Sequence, residues 1–166
     1  TGWEVENSGN DKKISVPEDA IIWDIDNQKW KKVGIDQYAI SKITFDLILG
    51  DWHHNQKMDM NDILYSIYFL SEWGSAPYEN DKTYDSEYSA QAIQNAKTLI
   101  GIKPLDDNTI EVYVDYWHFD KAEIAGWATP WSSMPWEIMA SMENAVLDGN
   151  VSFSRSGAVS KNVNWL

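Results

Sequence analysis

The sequence predicts a mixed α+β fold in which antiparallel strands pack against several helices, and three patterns carry that expectation. Ile43, Phe45, Leu47 and Leu49 alternate with Lys42, Thr44, Asp46 and Ile48, the period of two expected of a half-buried strand. From Asp59 to Trp73, the residues Ile63, Leu64, Ile67, Tyr68 and Leu70 form an apolar stripe at helical spacing. Further along, Thr98 to Ile102 and Thr109 to Val114 flank Leu105-Asp106-Asp107-Asn108, a turn sequence between two apolar runs that reads as a hairpin.

In chain order, residues 1–19 are polar, with Gly, Asn and Pro, and read as a loop leading into a short strand from Ala20 to Asp24. Asp26-Asn27-Gln28 makes a turn, followed by Trp30 and a lysine-rich connector to Gly34. The strand around 43–49 ends at Gly50-Asp51. Asp59 is a suitable N-cap for the helix to Trp73, Asp62 adds charge where the helix dipole favours it, and Gly74 occupies the place of a C-terminal glycine cap. After a loop from Pro77 to Tyr84, residues 86–97 read as an amphipathic helix with Tyr88, Ala92, Ile93 and Ala96 inward. A short helix is expected from Lys121 to Trp127. Another runs from Pro135, a favoured first-turn proline, to about Leu147, where Asp148-Gly149-Asn150 stops it. Residues 151–166 show no period and read as a truncated connector, so that 1–166 is expected to be a single partial domain. The start at Thr1-Gly2-Trp3, with neither a signal peptide nor an initiator Met, points the same way.

Composition narrows the function. The 166 residues are 43% hydrophobic, enough for a packed core, and carry 26 acidic against 13 basic side chains, a net charge of −13. Such a surface repels nucleic acid and anionic membranes. With no cysteine there is no disulfide framework, no cysteine-ligated metal and no thiol catalysis. The ten tryptophans and eight tyrosines exceed what a core of this size needs, so some rings are expected to face a cleft or another domain.

Motifs for catalysis are missing. His53 and His54 are adjacent, and neighbouring residues on an extended chain point to opposite sides, so the pair reads as loop structure and no metal or cofactor is expected. Asp24-Ile25-Asp26-Asn27-Gln28 begins like a calcium loop but has Lys29 where glycine is needed and Ile35 where glutamate is needed. Asp106 and Asp107 read as turn chemistry. No nucleophile elbow, phosphate-binding loop or dinucleotide fingerprint occurs. The candidate binding residues are Trp127, Trp131 and Trp136, which with Pro130 and Pro135 form a stiff aromatic stretch suited to stacking on sugars or peptide side chains. The competing reading packs these rings between subdomains. Asn150-Val151-Ser152 matches an N-glycosylation acceptor.

The stretch from Phe45 through Gly50, Trp52-His53, Asp59 and Asp62-Ile63 to Ser66 resembles the strand, Trp-His loop and helix start of solute-binding family 5, the peptide-, nickel- and oligosaccharide-binding proteins of ABC importers. The family's loop glycine is replaced around Asn55-Gln56. Leu105-Asp-Asp-Asn-Thr109-Ile-Glu-Val is similar to that family's Asp-Asp-x-Thr hairpin, and Phe119 to Met139 resembles the segment after it. The resemblance implies part of the first lobe, with its extra subdomain, of a type II periplasmic-binding-protein-like fold. It implies a monomeric extracellular or periplasmic protein, not an enzyme, anchored through a segment outside this chain, which captures an oligopeptide or oligosaccharide and delivers it to a membrane permease. A secreted carbohydrate-binding or hydrolase-associated domain is the alternative.

Overall fold

The computed structural model describes residues 2–166, apart from the side chains of residues 90–93 and 95. It is a mixed α+β fold built on a six-stranded antiparallel sheet. The strands are β1 (Gly2–Asn7), β2 (Ile14–Ser15), β3 (Ile21–Asp24), β4 (Lys29–Lys32), β5 (Tyr38–Ala39) and β6 (Ser41–Asp46). The helices α1 (Met60–Trp73) and α2 (Ser86–Thr98) follow, then the hairpin β7 (Leu99–Pro104) and β8 (Thr109–Val114). The chain continues through α3 (Lys121–Ala128), α4 (Trp136–Leu147), β9 (Val151–Ser152), α5 (Arg155–Lys161) and β10 (Asn164–Trp165). The main sheet has the order β1-β6-β8-β7-β3-β4; β2 with β5 and β9 with β10 form two small pairs.

Alternation on the central strands divides the core between the two sheet faces. Ile43 and Phe45 on β6 and Ile110, Val112 and Val114 on β8 point to one side, where Ile63 of α1 and Ile124, Ala125 and Ala128 of α3 cover them. Tyr113 points to the other side and packs with Ile14, Val16, Ala20 and Ala39. A third cluster, Phe69, Trp73 and Val146 with Tyr65, Tyr68, Tyr88 and Phe153 around it, lies between α1, α2, α4 and the 151–153 segment.

The central strands match the sequence expectation, and the sheet's two edges do not. β1, expected as loop, pairs with β6 from Gly2↔Asp46 to Asn7↔Ser41. It buries only Val5, so no apolar period marks it. β4, expected as a connector, pairs with β3 in the register Trp23↔Trp30 and Asp24↔Lys29; its lysines are characteristic of an edge strand exposed to water. Gly101 lies at a bulge in β7, and a Cβ there would come 2.8 Å from Val33 Cγ2, so a glycine is what lets the segment after β4 close on the sheet.

Other differences are local. Leu70, expected in the buried stripe of α1, is 45% exposed, because α1 buries Asp62, Ser66, Phe69, Glu72 and Trp73 and so turns a more polar face inward. Gly74 ends α1 with right-handed geometry (φ −85°), so it is not the left-handed cap that a glycine there predicts. Pro135 is the N-cap of α4, one position before the expected first turn. Ala92 and Ile93, expected inward on α2, lie outside the described residues. Residues 151–166, expected as an aperiodic connector, form β9, α5 and β10. The Ser154 hydroxyl caps α5 by accepting from Gly157 N, and the elements are too short to show a period. Among the described residues no helix is long and apolar enough to cross a membrane.

The loop before α1 shows how the helix is held. Asn55 takes the left-handed conformation (φ +65°), which asparagine tolerates better than most residues, and the turn closes through Trp52 N→Gln56 O and Asn55 N→Trp52 O, both 2.8 Å. Asp59 and Asp62 form a reciprocal capping box. Asp62, fully buried, also accepts from Trp52 Nε1 at 3.2 Å and from Trp136 N at the start of α4 at 2.9 Å. Asp62→Ala leaves three N–H donors without their acceptor and is expected to cost roughly 3 kcal/mol, whereas Asp59→Ala, at an exposed cap, costs about 1 kcal/mol. Urea denaturation of the two variants measures the difference; equal losses would mean that Asp62 is only a cap.

Candidate functional site

An aromatic concavity lies between the β3–β4 hairpin, α1 and the start of α4. Alternation puts the paired indoles Trp23 and Trp30 on the face of the hairpin that meets α1. Helical spacing brings Leu64, Tyr65 and Tyr68 of α1 opposite them, and Asp62 fixes the backbone that carries Trp136. Together with Asn61, these side chains line a cavity of about 520 Å³ that is open to solvent. Its rings meet at steep angles: Trp23–Tyr68 at 4.5 Å and 69°, Tyr65–Tyr68 at 5.0 Å and 76°, and Trp23–Trp30 at 5.6 Å and 78°. Trp136 lies 6.0 Å from Tyr65.

Two buried carboxylates hold these rings from behind. Glu72 accepts from Trp23 Nε1 at 2.6 Å, Gln28 Nε2 at 2.7 Å and Thr83 Oγ1 at 2.8 Å. Glu143 on α4 accepts from the Tyr65 and Tyr68 hydroxyls and from Trp73 Nε1 at 2.7 Å. Three donors converge on each carboxyl group, whose oxygens act as acceptors. Tyr65 and Tyr68 hold their protons well above the ordinary phenol range, chiefly because burial disfavours the phenolate and secondly because Glu143 accepts from the neutral hydroxyl.

The structure separates the three tryptophans that the sequence singled out. Trp136 lines the cleft. Trp127 stacks on Tyr116 (4.5 Å, 11°), donates to Thr98 Oγ1 at 2.9 Å and borders a different, apolar cavity of about 250 Å³ with Ile67, Leu99 and Val114. Trp131, 73% exposed between α3 and α4, borders neither cavity. Trp23 and Trp30 lie outside the sequence expectation, which ends the first strand at Asp24 and leaves Trp30 beside a connector. A three-residue turn at Asp26-Asn27-Gln28 would set Trp23 against Lys31; the turn observed also includes Ile25, and that residue is what places the two indoles opposite each other. No sequence signal marks Glu143, a glutamate on a helix of mixed character.

The histidines stand apart from the cleft. His53 and His54 are exposed, with His54 Nε2 2.8 Å from Gln56 Oε1, and His118 Nδ1 accepts from Asp120 N at 3.1 Å. Among the described residues no group of three His, Asp or Glu side chains gathers to hold a metal ion. Asp24 accepts from Asn27 and pairs with Lys31 at 3.1 Å, bonds that keep its carboxyl below the usual range and serve the hairpin turn. No protein-family model matches the chain, and no curated protein matches it.

Because the phenol pKa is raised on folding, the stability that Tyr65 and Tyr68 confer is complete below the unfolded value of about 10 and is lost as pH rises beyond it. Spectrophotometric titration is expected to show these phenols ionising later than the exposed tyrosines. Glu143→Gln, with one acceptor oxygen for three donors, is expected to lower stability by about 2 kcal/mol and to let both phenols ionise at lower pH than in the parent protein. An unchanged phenol titration in that variant would disprove the link.

Proposed function

We propose that the chain is a solute-capturing lobe of a binding protein of the family 5 type, serving an ABC importer and taking an oligopeptide or oligosaccharide, and that it binds its solute without transforming it. The observation that carries this reading is the open cleft of Trp23, Trp30, Tyr65, Tyr68 and Trp136, a concave aromatic surface of the size typical of small-molecule sites. Three of its rings, Trp23, Tyr65 and Tyr68, are hydrogen-bonded in place before any ligand arrives, which reduces the ordering cost of binding. The arrangement of the two resembling stretches is compatible with the reading: β6 and β8 are hydrogen-bonded neighbours, with Ile43 opposite Val112 and Phe45 opposite Ile110.

On this reading the protein works as a monomer outside the cytoplasmic membrane, extracellular or periplasmic, held there through a segment outside this chain. A second lobe closes over the solute and the closed form docks on the permease. The alternative, a carbohydrate-binding module, is usually a sandwich of two facing sheets, whereas one main sheet covered by helices forms this core.

Thermal-shift screening against di- to pentapeptides and short oligosaccharides tests the proposal. A solute at 100 times its Kd stabilises the folded state by about 2.7 kcal/mol, a shift of several degrees. Trp30→Ala is expected to abolish the shift while leaving most of the unliganded Tm. If Trp131→Ala abolished it instead, the binding surface would be the exposed loop after α3.

A further inference from the structure

The geometry points to an alkylammonium group as what the aromatic cleft recognises on its solute. This rests on the cleft being the ligand site. The first argument is shape. A sugar stacks on a flat aromatic platform, but here successive rings meet at 69–78° and surround the space from more than one side. Crossed ring planes around an open concavity suit a compact, rounded group better than a flat one, as in the aromatic cages that hold quaternary ammonium and alkylammonium ions.

The second argument is the direction of the polar atoms. Trp23 Nε1 and the hydroxyls of Tyr65 and Tyr68 are turned away from the cleft and bonded to Glu72 and Glu143. A sugar, ringed with hydroxyls, would therefore find few partners, and burying its hydroxyls unpaired is costly. A quaternary ammonium over a ring face has no N–H to satisfy, and in a cleft open to solvent a lysine ammonium keeps its N–H groups in water while its stem meets the rings. Donation of each ring's N–H or O–H to an anion also pushes electron density back into the ring, which deepens the negative potential of the face that the ligand meets.

The third argument is charge. None of the lining residues is Lys or Arg. Strand alternation puts Lys29 and Lys31 on the other side of the hairpin from Trp30, and Lys31 is paired there with Asp24. Glu72 and Glu143 lie directly behind the rings, and the chain carries a net charge of −13, so a cation is drawn towards this surface and an anion repelled. The same chemistry is borne by a free quaternary amine or by the lysine side chain of a peptide.

Tryptophan-fluorescence or calorimetric titration of the intact chain at fixed ionic strength separates these cases. Choline is compared with 3,3-dimethylbutan-1-ol, its uncharged isostere, and trilysine with the same peptide acetylated on its side-chain amines. The expected result is that at least one cation binds five-fold or more tightly than its uncharged counterpart, the size of a cation–π contribution at a partly exposed site, and that Trp30→Ala removes the preference. Preference for choline identifies a free amine; preference confined to trilysine identifies a peptide. Equal binding of charged and uncharged partners overturns the inference. So does binding confined to neutral peptides or sugars, which leaves the cleft as the ligand site if Trp30→Ala abolishes it. No binding of any solute overturns both readings.

Discussion

The arrangement of this protein depends on indole N–H groups bonded to carboxylates that are themselves removed from water. Trp52 is bonded to Asp62, Trp23 to Glu72 and Trp73 to Glu143. An isolated buried carboxylate would be strongly destabilising, and an indole buried with its N–H unpaired would lose a hydrogen bond. Each solves the other's problem, provided that further donors complete the acid's shell. They do so here: backbone N–H groups at Asp62, Gln28 and Thr83 at Glu72, and two phenols at Glu143. Because the bonds are directional, each acid fixes the plane of the ring it holds as well as its position.

The acids are distributed along the shared boundary of α1 and α4. Asp62 stands in the first turn of α1, Glu72 near its last, and Glu143 reaches across from α4. The helix therefore acts as a spine, with an apolar side on the sheet through Ile63 and a polar, ring-holding side towards the hairpin and α4. That division explains why its buried face includes two acids and two serines. The hydrophobic effect attaches α1 to the sheet through Ile63 and to α2 and α4 through Phe69 and Trp73, while hydrogen bonds to its acids orient the rings around it.

Sequence patterns reveal structure where burial is one-sided and regular. β6, β8 and the β7–β8 turn were legible for related reasons: β6 alternates buried and less buried residues, β8 is an apolar run buried on both faces at its end, and Asp106 accepts from Asn108 N and Thr109 N at 2.8 Å, as turn aspartates do. α1 was legible from its cap. The edge strands were not, because Val5 and Trp30 are nearly alone among polar neighbours and the ladder bonds that define those strands depend on a partner distant in sequence. The cleft was partly legible. Trp136 was singled out by its local density of indoles, but Trp23 and Trp30 join it only through a hairpin and a helix that lie far apart in the chain. Long-range convergence of this kind leaves no local signature, and Glu143, whose role consists wholly of such contacts, left none.

The single ladder position shared by β3 and β7, Ile21 opposite Ile102, has a mechanical consequence. The hairpin that carries two of the five rings is joined to the rest of the sheet by far fewer bonds than join β6 to β8. The rest of its hold comes from the grip of Glu72 on Trp23 and Gln28 and from Ile21 and Trp30 packing on the core. Between this arm and the main ladder, side chains therefore do what backbone bonds do elsewhere in the sheet, and one glutamate acts as the clasp that ties the aromatic arm to the spine helix.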